Sequence, residues 1–142
     1  MNLVDRIIRD EGFEGHAYRC PAGKLTIGYG RNIDPDGGKG ITEREALHLL
    51  HGDLIECEND LADIFGWDFW LHLDTVRRYA LINMRYNLGP AGFRGFVNMI
   101  EAIKRKEWGL AAREAMDSRW AVQVGKRARR IADELRDGVA MS

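Results

Sequence analysis

Ala17-Tyr18-Arg19-Cys20-Pro21-Ala22-Gly23-Lys24-Leu25-Thr26-Ile27-Gly28-Tyr29-Gly30 is the stretch that decides how the chain folds. Tyr, Thr and Ile favour a pleated backbone, and Pro21 with Gly23 supplies a turn, so the segment reads as strand, turn, strand. Gly28 and Gly30 leave one edge without side chains, which suits close approach of a ligand or of another backbone. Beyond it, Asp34-Pro35-Asp36-Gly37-Gly38-Lys39-Gly40 reads as a loop.

On the N-terminal side the chain predicts a short helix. Asn2 can cap it, and Leu3, Ile7 and Ile8 fall on one face at helical spacing. Gly12 stands where a helix-ending glycine is expected, which puts Glu11 at the helix C-terminus. A carboxylate is electrostatically disfavoured there, and such a local inconsistency is expected at functional sites.

On the C-terminal side the pattern is helical nearly to the end. Thr42-Glu43-Arg44-Glu45 is a capping box. Ala46, Leu49, Leu50, Leu54, Ile55, Leu61 and Ile64 then continue as one long amphipathic helix, with Gly52 a weak spot. Asp74 caps the next helix, in which Val76, Ala80, Leu81, Met84 and Leu88 form a core face and which Gly89-Pro90 ends. Shorter helices are predicted around 96–105, 107–116 and 125–137, with Trp108 and Trp120 in the core and Cys57 an incidental residue of the long helix. The fold class is therefore α+β: a hairpin lobe over about 12–42, a connecting helix over about 43–64, and a helical lobe over about 65–142 that also takes helix 1–11. A cleft between lobes is the default place for a ligand.

Composition narrows the function classes. The chain has 142 residues, 45% hydrophobic and 30% charged, as in an ordinary globular domain. No apolar run approaches the ~18–20 residues of a membrane span, so no membrane partner is expected. Acidic and basic residues interrupt the opening Met1-Asn2-Leu3-Val4-Asp5-Arg6, so synthesis in the host cytoplasm without a cleavable signal peptide is expected. Two cysteines, Cys20 and Cys57, are too few for a disulfide framework. The net charge of -1 hides an asymmetry: residues 1–74 carry 7 Lys/Arg against 15 Asp/Glu, and residues 75–142 carry 14 against 7. Either the halves neutralise each other or the basic half attracts a polyanion. The basic run Lys126-Arg127-Ala128-Arg129-Arg130 lacks a helix-turn-helix or aromatic platform beside it, so no nucleic acid is expected. His16, His48, His51 and His72 form no zinc-ligand pattern, so neither metal nor cofactor is expected.

Glu11, eight residues, Cys20, five residues, then Thr26 in Thr26-Ile27-Gly28-Tyr29-Gly30 resembles the active-site signature of phage-type lysozymes, glycoside hydrolase family 24. The tyrosine two residues before Cys20 and the Pro21-Ala22-Gly23 turn match it too. So do Asp74–Met84, Gly92–Asn98, Ser118-Arg119-Trp120 and Arg127-Ala128-Arg129-Arg130, in order along nearly the whole chain.

The resemblance implies a muramidase that cuts the β-1,4 bond between N-acetylmuramic acid and N-acetylglucosamine, with glycan strands of peptidoglycan as its partner and a monomer as its form. It implies action on the wall after release, or as part of a phage particle. Glu11 matches the general acid, which must hold a proton and so is expected to be buried, with Arg127 orienting it. Thr26 matches the residue whose hydroxyl positions the attacking water. Inversion at the anomeric carbon needs about 6.5–9.5 Å between the two groups to admit that water.

Cys20 stands where the family's best-known members have aspartate, although cysteine is a variant within its pattern. A thiol ionises near ~8.5 rather than ~3.9, accepts hydrogen bonds weakly and is a strong nucleophile when ionised. Three roles are open to it: base, nucleophile, or a group holding Thr26 and the water. Arg31 replaces a frequent histidine and reads as structural, bridging to an aspartate near the long helix or to Asp68, or touching a peptide stem. Gly30, Asn32, Tyr86, Met99 and Glu114 align with positions lining the family's sugar cleft. The competing reading, which Cys20 and Arg31 keep open, is a catalytically weak lysozyme fold that only binds peptidoglycan.

Overall fold

A computed structural model describes residues 1–138; the last four of the residues assigned above to the helical lobe lie outside the described part. The chain divides into two compact units, Met1–Leu49 and Leu50–Ser142, and helix 1–11 groups with the hairpin in the first of them. The architecture is α+β, with a small antiparallel sheet and eight helices among the described residues.

The first unit opens with α1 (Leu3–Glu11). The Asn2 side chain accepts from the Asp5 N–H at 2.8 Å and Asp5 returns a bond to the Asn2 N–H, which completes a capping box. Gly12 ends the helix with φ 71°, its N–H donating to the Ile8 carbonyl. Three strands follow, β1 (Glu14–Arg19), β2 (Leu25–Gly28) and β3 (Arg31–Asn32), in the order β1-β2-β3.

The sequence reading carries the second strand to Gly30; the structure corrects this. Gly28 and Gly30 take φ of 69° and 75°, a region open to glycine at little cost, and the chain reverses there. Ile27 consequently pairs with Arg31 and Thr26 with Asn32, an extra strand. The first strand also starts three residues early and ends before Cys20, which opens the turn, and its register slips between Glu14 and Tyr18.

No apolar side chain of the first unit is buried; its buried residues are Thr26 and Asp34. Directional hydrogen bonds therefore hold the sheet and its loop in shape.

The division between the units falls within α2 (Glu43–Phe65), whose capping box is formed as read, with the Glu45 N–H donating to Thr42 Oγ1 at 3.1 Å. After α2 come α3 (Trp67–His72), α4 (Thr75–Arg94), α5 (Val97–Lys104), α6 (Trp108–Met116), α7 (Arg119–Val124) and α8 (Lys126–Asp137). Leu61, Trp70, Leu81, Met84, Phe93, Met99, Ile103, Ile131 and Leu135 are all but sealed from solvent in one core. Each such side chain contributes about 1.5–3 kcal/mol on burial, so the second unit is held by the hydrophobic effect.

Asp74 caps α4 through the Arg77 N–H at 3.1 Å, and the helix breaks at Gly89 (φ 78°) before Pro90 opens its last turn. Two helices escape the sequence pattern: α3 and α7 have six residues each, too few for a periodicity.

Trp120 is buried, its Nε1–H donating to Asn87 Oδ1 at 2.7 Å, while Trp108 is half-buried against the core with the Arg77 guanidinium 4.1 Å from its ring. Cys57 is not incidental. It is 2% exposed in the core, 3.7 Å from Arg85 Nη1, and burial pushes its thiol up. The polar letters around it hide this, because they point elsewhere on the helix.

Candidate functional site

The turn between β1 and β2 brings Cys20 and Thr26 to one peptide group. The Lys24 carbonyl accepts from the Cys20 N–H at 2.9 Å and from the Thr26 hydroxyl at 3.0 Å. Thr26 is 4% exposed and Cys20 is half-buried with a free thiol. Backbone hydrogen bonding at Lys24 chiefly holds that thiol below its ordinary value; partial burial opposes it and the Ala22 backbone assists, with the Thr26 hydroxyl within reach of the sulfur as an alternative donor. A nucleophile or base and a hydroxyl thus share one turn.

Glu11 reaches the same sheet from the end of α1. A β-carbon added to Gly30 would lie 2.7 Å from its carboxyl carbon, so the carboxyl occupies the space that any other residue at 30 would fill. The burial expected for Glu11 is not found: the residue is exposed.

Arg31 is tied down within the first unit. Its Nη2 lies 2.5 Å from Glu45 Oε2, and its Nη1 donates to Glu45 Oε1 at 2.8 Å and to the Gly40 carbonyl at 3.1 Å. The partner is therefore a glutamate in the first turn of α2, not an aspartate, and Asp68 instead lies 3.5 Å from His72. Arg31 and the Thr42 N–H together pull the Glu45 carboxyl down to about 2.

Asn32 turns into the following loop, where its Oδ1 accepts from the Asp34 N–H at 2.9 Å. Asp34, which sequence reading leaves in an undifferentiated loop, is 9% exposed and receives the N–H groups of Leu25 at 3.0 Å and Asp36 at 2.9 Å. These bonds, with Lys24 and Arg19 nearby, hold its carboxyl below the usual range against the effect of burial. The Asp-x-Asp spacing at 34 and 36 was the available signal, since aspartate commonly accepts from the backbone two residues on.

The remaining candidates lie in the second unit. Arg127 on α8 donates from Nε and Nη2 to Asn83 Oδ1 at 2.9 and 2.6 Å. Tyr86 is 44% exposed and lines a groove with Tyr79, Ile82 and Asn83. Met99, buried, and Glu114, half-buried, line a different hollow with Asn98, Ser118 and Arg119. Among the described residues no three of His, Cys, Asp and Glu are placed to hold a metal ion, and no helix is long and apolar enough to cross a membrane.

The family model described as Phage lysozyme matches residues 9–133. Two proteins of Dictyostelium discoideum, described as probable T4-type lysozymes 1 and 2, are 29% and 25% identical over 166 and 170 aligned positions, which cover 96% of this chain and 95% of each relative. The pre-baseplate central spike protein Gp5 of Enterobacteria phage T4 is 27% identical over 155 aligned positions, 92% of this chain but 27% of that longer protein.

Proposed function

The chain belongs to the phage lysozyme family, muramidase-type peptidoglycan hydrolases, and on that premise we propose that it cuts the β-1,4 bond between N-acetylmuramic acid and N-acetylglucosamine with Glu11 as acid and Cys20 with Thr26 handling the water. The observation that carries the reading is the shared turn: the backbone N–H of the thiol-bearing Cys20 and the Thr26 hydroxyl on one peptide carbonyl, in the unit where a carboxyl group rests on Gly30.

Glu11 gives its proton to the leaving oxygen while a water attacks the anomeric carbon from the opposite face. A glycan strand laid over this exposed carboxyl withdraws it from water, and desolvation favours the neutral acid. Thr26, donating to the Lys24 carbonyl, keeps its lone pairs free to accept from the attacking water. Cys20, its ionised form favoured by the turn, takes the second proton of that water as base. The proton count closes when the thiol returns its proton to solvent and Glu11 regains one. This reading gives Arg127 an orienting role and Gly30, Asn32, Tyr86 and Glu114 contact with the glycan, while Met99, sealed in the core, only shapes the hollow that it lines with Glu114.

The bond cleaved is read from the new reducing ends. Purified peptidoglycan is digested, reduced with borohydride and hydrolysed; muramitol is the expected product, and glucosaminitol in its place would refute the assignment.

A further inference from the structure

The peptide joining Lys24 to Leu25 is bonded on both sides. Its carbonyl takes the Cys20 N–H and the Thr26 hydroxyl, and its N–H, on Leu25, donates to Asp34 Oδ2 at 3.0 Å. The carboxylate is nine-tenths buried, and its other oxygen takes the Asp36 N–H. The charged groups facing it are the Arg19 guanidinium, 3.6 Å away, and the Lys24 ammonium, which is itself held by Asp36. An anion on the N–H of an amide makes its carbonyl a stronger acceptor, since hydrogen bonds chained through a peptide polarise one another. The threonine hydroxyl has a single proton to give. Donation to the Lys24 carbonyl and donation to the Cys20 sulfur therefore compete.

We propose that Asp34 is a positioning residue: through the Lys24–Leu25 peptide its carboxylate holds the Thr26 proton on the Lys24 carbonyl, so that the hydroxyl presents lone pairs to the water instead of donating to Cys20. The inference rests on the roles given above to Cys20 and Thr26. Without the carboxylate the carbonyl weakens as an acceptor, and the hydroxyl turns to an ionised sulfur and stabilises it.

The test is the pH dependence of Cys20 alkylation by iodoacetamide, in the full chain carrying Cys57→Ala so that one thiol remains. Asp34→Asn is expected to lower the midpoint by about half a pH unit or more, about a threefold change in ionisation constant. In the Thr26→Val chain the same Asp34→Asn change is expected to leave the midpoint where it was. An undiminished shift in the Thr26→Val chain would mean that the charge acts directly through space, and no shift in either would mean that it does not act; both overturn the proposal. Should Asp34→Asn fail to fold, NMR of the unsubstituted chain decides. The Leu25 amide proton and the Lys24 carbonyl carbon are expected to shift together as Asp34 is protonated, and a Lys24 carbonyl that stays still overturns the relay. None of these readouts uses glycan turnover, so a failure here is distinct from a failure of the muramidase reading.

Discussion

The carboxyl group of Glu11 rests on the α-carbon of Gly30, leaving no room for a β-carbon between them. Gly30→Ala is accordingly expected to do two things at once. The φ of 75° costs an alanine roughly 1–2 kcal/mol, and the new methyl displaces the carboxyl. Peptidoglycan clearing should fall by about tenfold or more while thermal unfolding shifts by a few degrees. Unchanged clearing would show that the position of this carboxyl is immaterial.

Cys20 is expected to tolerate aspartate and not alanine. Aspartate is ionised at pH 7 and can take the proton of water, so Cys20→Asp should retain or raise the clearing rate. Cys20→Ala removes the proposed base and should lower it by about 10²-fold or more at nearly constant melting temperature. Full turnover by Cys20→Ala would assign the thiol no part in the reaction.

The Arg31–Glu45 pair predicts acid sensitivity of the first unit. The Glu45 carboxyl is depressed from 4.5 to about 2 in the folded chain, so its stabilisation is complete above about pH 4.5 and is lost as pH falls from there towards about 2. Glu45→Gln should lower the melting temperature at neutral pH and flatten its fall across that window. A variant with the unsubstituted chain's full acid dependence would place the effect elsewhere.

Asp60 on α2 takes Arg85 Nε at 2.6 Å and is also gripped by Arg94, which lies beyond the Gly89 break. Arg85 is 6% exposed, so Asp60→Ala strands a buried cation and is expected to cost about 3 kcal/mol in denaturant unfolding. Arg94→Ala, at the exposed end, should cost about 1 kcal/mol or less. Replacing Asp60 and Arg85 together with leucine should recover most of the loss.

What the sequence made legible is what neighbouring residues decide. The Asn2 and Asp74 caps, the Thr42 and Glu45 box and the turn at Pro21–Gly23 are contacts over three or four residues, and all are formed. The expectation for Glu11, Cys20 and Thr26 comes from the resemblance of their spacing to a family signature. β3 was hidden because glycine letters do not tell a flat strand from a reversal, and α3 and α7 because six residues complete fewer than two turns. Arg31 found its partner in Glu45 because the capping box already fixes that carboxylate beside the loop. The contact of Asp34 with Leu25 was invisible because it runs to a backbone N–H, which every residue but proline carries.

Clearing of purified peptidoglycan by Glu11→Gln, beside the unsubstituted chain at matched folding, tests the central claim most directly. Glutamine keeps the shape and loses the transferable proton. The rate is expected to fall by about 10³-fold with the melting temperature unchanged. Equal clearing by the two chains would contradict the assignment of Glu11 as the acid.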